Sequence, residues 1–174
     1  MWFVRFVSSS IGKKLIMGTT GLLLLLFLCS HAAGNATIYM GSAVFQSYAD
    51  ELHSHPLIVL VFSTIVLLLF IIHIALGLYL FFENRIVTPS RYAVDKKQAK
   101  NAFAANTMPY TGLLILLFVL VHVFGFTFSP EEIPISVTVK SALSGIFYGM
   151  FYLFSFAVLA VHLSRSEEHT SELQ

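Results

Sequence analysis

Residues 57–82 read LIVLVFSTIVLLLFIIHIALGLYLFF, an apolar run with no Asp, Glu, Lys or Arg and a single imidazole, His73. A helix of this length, at about 1.5 Å per residue, crosses the roughly 30 Å hydrocarbon layer of a bilayer. Three further uncharged stretches, 15–33, 110–128 and 143–163, pass the same test. The 174-residue chain is 57% hydrophobic and only 11% charged, which departs from the soluble average on both counts. Inside lipid the backbone must satisfy its own hydrogen bonds, so only helices or a closed barrel can span. Runs such as LLLLLFL and VLLLFIIHIAL lack the alternation a barrel strand needs. The expected fold is an all-α integral membrane helical bundle with four transmembrane helices.

Charge sets the expected orientation. Arg5, Lys13 and Lys14 precede the first stretch, and Arg85, Arg91, Lys96, Lys97 and Lys100 follow the second. The connection between them has no Lys or Arg and carries Asp50 and Glu51, while the connection before the fourth stretch sets Lys140 against Glu131 and Glu132. By the positive-inside rule the N-terminus and the 83–108 loop are cytoplasmic. A basic start with a Leu-rich core and Ala32-Ala33 also fits a cleaved signal peptide. Apolar character continues past that point through Ala36 and Ile38, so the stretch is read as a span. Segment 34–55, with Tyr39, Phe45 and Tyr48, is expected at the interface as a short helix or ordered loop. The 83–108 loop is too short for a domain and is expected to be a docking surface. The lone Cys29 permits no internal disulfide. Residues 1–164 read as one transmembrane domain without tandem repeats.

Four of the seven histidines fall in these stretches, one in each: His31, His73, His122 and His162. Ionisable groups at membrane depth are costly and point to function. His31 follows Lys14 by seventeen residues, which puts it about 25 Å from the cytoplasmic side, and His122 lies about 9 Å before the outer end of its helix. These two share an outer level. His73 is about 14 Å from the inner end of its helix and His162 stands at an inner end, which makes a second level. Two facing imidazoles at one level suit a six-coordinate b-type haem, so two levels imply two haems. Gly34, Gly125 and Gly77 each lie three or four residues after one of these histidines, on its helical face, and are expected to admit a flat macrocycle.

The pieces SSSIGKKLIMGTTGLLLLLFLCSHAAGN, ATIYMGSAVFQSYADELHSHPL, ENRIVTPSRY and NTMPYTGLLILLFVLVHVFGF together resemble the one-polypeptide, two-haem (b558-type) cytochrome b anchors of succinate dehydrogenases and fumarate reductases. The resemblance covers about 8–164. It implies two b haems, with His31 and His122 as axial iron ligands of the distal one and His73 and His162 of the proximal one. It further implies a flavoprotein subunit and an iron–sulfur subunit on the cytoplasmic face of a bacterial cytoplasmic membrane, with menaquinone as the quinone. Dicarboxylate chemistry belongs to the flavoprotein, so no catalytic residue is assigned on this chain, and no nucleic acid is expected as a partner. Two features depart from the family. Ala160 stands where some members carry a glutamate associated with proton movement, and four spans are present where the family has five.

A quinone head group needs hydrogen-bond partners near a haem. The candidates near the outer level are Asn35, Gln46, Asp50, Glu51, His53 and His55, and Lys13, Lys14, Arg85 and Arg91 are candidates for haem propionates. Two rival readings are the cytochrome b of another quinone-linked membrane dehydrogenase and a transporter using a histidine relay. The polar stretch RSEEHTSELQ, 165–174, matches what a widely used sequencing adapter encodes, and is read as a non-native tail that replaces the family's fifth helix.

Overall fold

The computed structural model describes residues 2–87, 96–128, 130 and 132–170, with side chains described apart from those of 3, 84, 86–87, 96–106 and 165–170. Among them the regular structure is entirely helical, as expected: α1 (Trp2–Ser8), α2 (Ser10–Ala36), a 3₁₀ turn (Thr37–Met40), α3 (Ser42–His53), α4 (Pro56–Val87), α5 (Lys96–Thr127), α6 (Ile135–Ser144) and α7 (Ile146–Thr170). Four stretches are long and apolar enough to cross a membrane: Ser10–Met40, Pro56–Glu83, Thr107–Thr127 and Ile146–Ser164. The protein is an all-α, multi-pass membrane protein. Large apolar side chains such as Leu57, Ile58, Leu67, Leu113, Phe124 and Phe147 are exposed, which suits helices whose solvent is lipid.

The chain forms two compact units, 1–84 and 85–174. In the first, α1 turns back at Ser9, whose Oγ accepts from Gly12 N at 3.0 Å and donates to the Phe6 carbonyl at 2.6 Å. That hydroxyl caps α2 by satisfying one of the orphan donors of its first turn. Gly12 is required here, because a Cβ would strike the carbonyl of Phe6. The 3₁₀ turn is separated from α3 by Gly41 at φ 123°, a conformation that glycine adopts without strain. Phe45 and Ala49 bury the inner face of α3. The expectation of a short helix after the first span is met by α3, and Pro56 begins α4 where its missing N–H costs no hydrogen bond.

In the second unit α5 packs along α7, and α6 packs on α7. Tyr152 of α7 is buried at the centre of an aromatic cluster with Phe118, Phe151 and Phe156. Two helix boundaries differ from expectation. α5 begins at Lys96 instead of 110, so much of the expected 83–108 loop is helical. Its KKQAKNAFAA start is rich in strong helix formers, and the helix runs on through Pro109. The fourth span begins at Ile146, because Gly145 is extended at φ −71° and ψ 122° and divides α6 from α7. Arg91 and the tail residues 171–174 lie outside the described residues.

Candidate functional site

Each of the four intramembrane histidines stands on a different crossing helix: His31 on α2, His73 on α4, His122 on α5 and His162 on α7. In the first unit, Nδ1 of His73 lies 3.3 Å from Thr20 Oγ1 and 3.2 Å from the Met17 carbonyl oxygen, both on α2. The ring edge rests on Gly21, where a Cβ would come within 3.0 Å of His73 Cε1. In the second unit, Nδ1 of His162 lies 2.9 Å from Thr111 Oγ1 on α5, and a Cβ on Gly112 would stand 3.6 Å from His162 Cε1. The same Thr-Gly pair therefore meets one histidine of each unit, His73 and His162.

This equivalence exposes a repeat, contrary to the expectation of none. Residues 17–34, MGTTGLLLLLFLCSHAAG, and 108–125, MPYTGLLILLFVLVHVFG, share Met, Thr-Gly, a Leu-rich stretch with one Phe, His and Gly at equal spacing. The shared contacts extend along it. Phe27 stacks on His31 at 5.4 Å between ring centroids, and Phe118 lies 5.7 Å from His122. Gly34 is covered by the hydroxyl of Tyr48, and a Cβ on Gly125 would lie 2.8 Å from the hydroxyl of Tyr148. The expected opening beside Gly34 and Gly125 is thus filled by tyrosine in each unit. Gly77 alone of the three has nothing within 4 Å of where a Cβ would stand.

Within each unit the inner histidine contacts the threonine that precedes the outer histidine by eleven residues. At about 1.5 Å per residue, the two levels of a unit are separated by roughly 16 Å along the helix axis. His122 and His31 have less uniform surroundings. His122 Nδ1 is 2.9 Å from the Tyr152 hydroxyl and its ring lies 5.3 Å from that of Phe126. His31 is more exposed, and its carbonyl accepts from Asn35 Nδ2 at 2.8 Å.

The quinone candidates gather on α3 and the end of α2. Gln46 Nε2 donates to Asp50 Oδ1 at 2.7 Å, the exposed Glu51 Oε1 lies 3.6 Å from His55 Nε2, and His53 Nδ1 meets the Ala49 carbonyl at 2.7 Å. At the other end of the same unit, Lys13 Nζ pairs with both oxygens of Glu83, at 2.7 and 3.0 Å, and lies 4.5 Å above the Tyr79 ring. A cleft of about 280 Å³ opens beside it, lined by Val7, Ser8, Lys13, Leu76 and Tyr79. Sequence reading named Lys13 but missed Glu83, Tyr79, Thr20, Thr111 and Tyr152. The signal for the threonines was the repeated Thr-Gly eleven and ten residues before a histidine.

Among the described residues no three His, Cys, Asp or Glu side chains come together as a multidentate metal site. Compared with protein-family models, with curated proteins and with solved structures, the chain has no match in any of the three.

Proposed function

We propose that this chain is the dihaem cytochrome b membrane anchor of a succinate:quinone oxidoreductase. The observation that carries the reading is the placement of one imidazole on each of four membrane-length helices, with the same Thr–His contact in both units. His31 and His122 would hold the outer haem iron, and His73 and His162 the inner one. Neutral imidazole suits that role, and b-type haem bound there supplies one-electron redox chemistry. The protein's own part would be to present the imidazoles, to line them with Phe27, Phe118 and Tyr152, and to keep water away with apolar helices.

In this reading electrons pass between an iron–sulfur subunit on the cytoplasmic face and a membrane quinone, menaquinone by the family resemblance. A flavoprotein subunit carries the succinate or fumarate chemistry. Asn35, Gln46, Asp50, Glu51 and His53 are the quinone candidates of the outer level, and the N-terminus is cytoplasmic by the charge pattern. The test is a reduced-minus-oxidised optical spectrum of the purified membrane protein, with pyridine-haemochrome quantitation. A b-type band with two haems per chain is expected. A flat spectrum overturns the proposal in favour of a histidine-relay transporter, and one haem per chain overturns the two-level assignment.

A further inference from the structure

The threonines beside His73 and His162 have a hydrogen-bonding arrangement that bears on which ring nitrogen carries the proton. A hydroxyl has one proton to donate. Thr20 Oγ1 has the carbonyl oxygens of Ile16 and Met17 at 2.8 and 2.9 Å, and Thr111 Oγ1 has those of Met108 and Thr107 at 3.0 and 3.3 Å. A carbonyl oxygen can only accept, so each hydroxyl has acceptors within its own helix to which its proton can go. What the hydroxyl then offers to the histidine is a lone pair. For His73 the point is reinforced, because the other neighbour of Nδ1 is the Met17 carbonyl oxygen, which also only accepts. With a proton on Nδ1, each inner histidine donates to these acceptors and leaves the metal-binding lone pair on Nε2. Thr20 is itself buried, at 5% exposure, so its bonds are shielded from competing water.

We infer that Thr20 and Thr111 are paired positioning residues, which hold the inner-level histidines in the Nδ1–H tautomer and tune the iron that Nε2 of each would ligate. The inference rests on the proposed haem function and adds to it two residues that sequence reading did not single out. An acceptor on Nδ1–H fixes ring orientation and raises the basicity of the ligating nitrogen. A more basic ligand favours ferric over ferrous iron, so the threonines hold the inner haem at a lower potential than unsupported imidazoles would. Gly21 fits the same purpose: a Cβ there would stand 3.0 Å from His73 Cε1, so the missing side chain lets the ring approach the threonine closely, while at Gly112 the corresponding 3.6 Å is ordinary contact.

The test uses the whole membrane complex and four variants: Thr20→Val, Thr111→Val, Thr20→Ser and Thr111→Ser. Haem content and potentiometric redox titration followed optically are the readouts. Both valine variants are expected to retain two haems and to move the same one of the two components to a more positive midpoint. Both serine variants are expected to return that component to the wild-type value. Unchanged midpoints in valine variants that retain both haems overturn the inference and leave the haem function standing. A serine variant that behaves like its valine counterpart also overturns it, because the hydroxyl then has no part. If valine costs the haem, retention in the serine variant supports the inference and loss in both overturns it. Wild-type protein without haem overturns the proposed function, and this inference with it.

Discussion

The hydroxyl of Tyr152 lies 2.9 Å from Nδ1 of His122, so that α7 supplies a polar partner to an imidazole on α5. At the other end of the same two helices the direction reverses, and Thr111 of α5 meets His162 of α7. The pair α5 and α7 is thus tied twice, each time through a histidine. Tyr152 also contacts Tyr148, whose hydroxyl is 3.4 Å away and would touch a Cβ on Gly125. Replacing Tyr152 by Phe keeps the aromatic packing and removes the hydrogen bond. The expected loss is about 1 kcal/mol of stability, that of a typical part-buried hydrogen bond. Thermal unfolding in detergent checks this, and an unaltered midpoint would show that the hydroxyl contributes nothing.

Histidine replacements report the pairing. His31→Ala and His122→Ala are expected to remove the same spectral component, and His73→Ala and His162→Ala the other. Optical spectra of the four purified variants decide it. Shared depletion by His31 and His73 would replace the proposed assignment with another.

Gly12→Ala is expected to destabilise the turn between α1 and α2, because the added methyl meets the Phe6 carbonyl that the Ser9 hydroxyl also engages. A cost of about 1–3 kcal/mol is typical of an overpacked site. Gly41→Ala, at φ 123°, should cost on the order of 1–2 kcal/mol through backbone strain. Unfolding midpoints that match wild type in both would argue that this end of the unit relaxes freely.

The Lys13–Glu83 pair ties α2 to α4 near the expected cytoplasmic ends. Removing one partner strands the other, whereas removing both replaces an ion pair with apolar contact. Lys13→Met alone is therefore expected to lower stability more than Lys13→Met combined with Glu83→Leu. A double-mutant cycle in detergent measures the coupling, and simple additivity would dismiss it.

Reversing Lys96, Lys97 and Lys100 to Glu is expected to weaken assembly with the soluble subunits while leaving haem content unchanged, since opposite charge guides such docking. Co-purification at physiological salt is the measurement, and full recovery of the soluble subunits would refute it.

Much of the architecture was legible in the residues themselves. Apolar runs without charge specify crossing helices because lipid offers the backbone no partner, and all four runs became helices of crossing length. One histidine per run was equally plain. Helix ends were less so: α5 starts at Lys96 because the Ala, Lys and Gln ahead of Pro109 favour helix, and it continues through the proline. The glycine reading failed at Gly34 and Gly125 for a physical reason. Spacing along a helix shows which face a residue shares, but the tyrosines that cover those faces come from α3 and α7.

The linear chain by itself determined the medium, the helical class and the identity of the imidazoles, since these follow from side-chain hydration and backbone hydrogen bonding, which are local properties. Only the tertiary structure decided what each imidazole touches. Thr20 and Thr111 read as ordinary residues of apolar helices until α4 and α7 bring His73 and His162 against them. A tautomer is set by a donor or acceptor on another helix, fifty-three residues away for His73 and fifty-one for His162, and no local pattern encodes that contact.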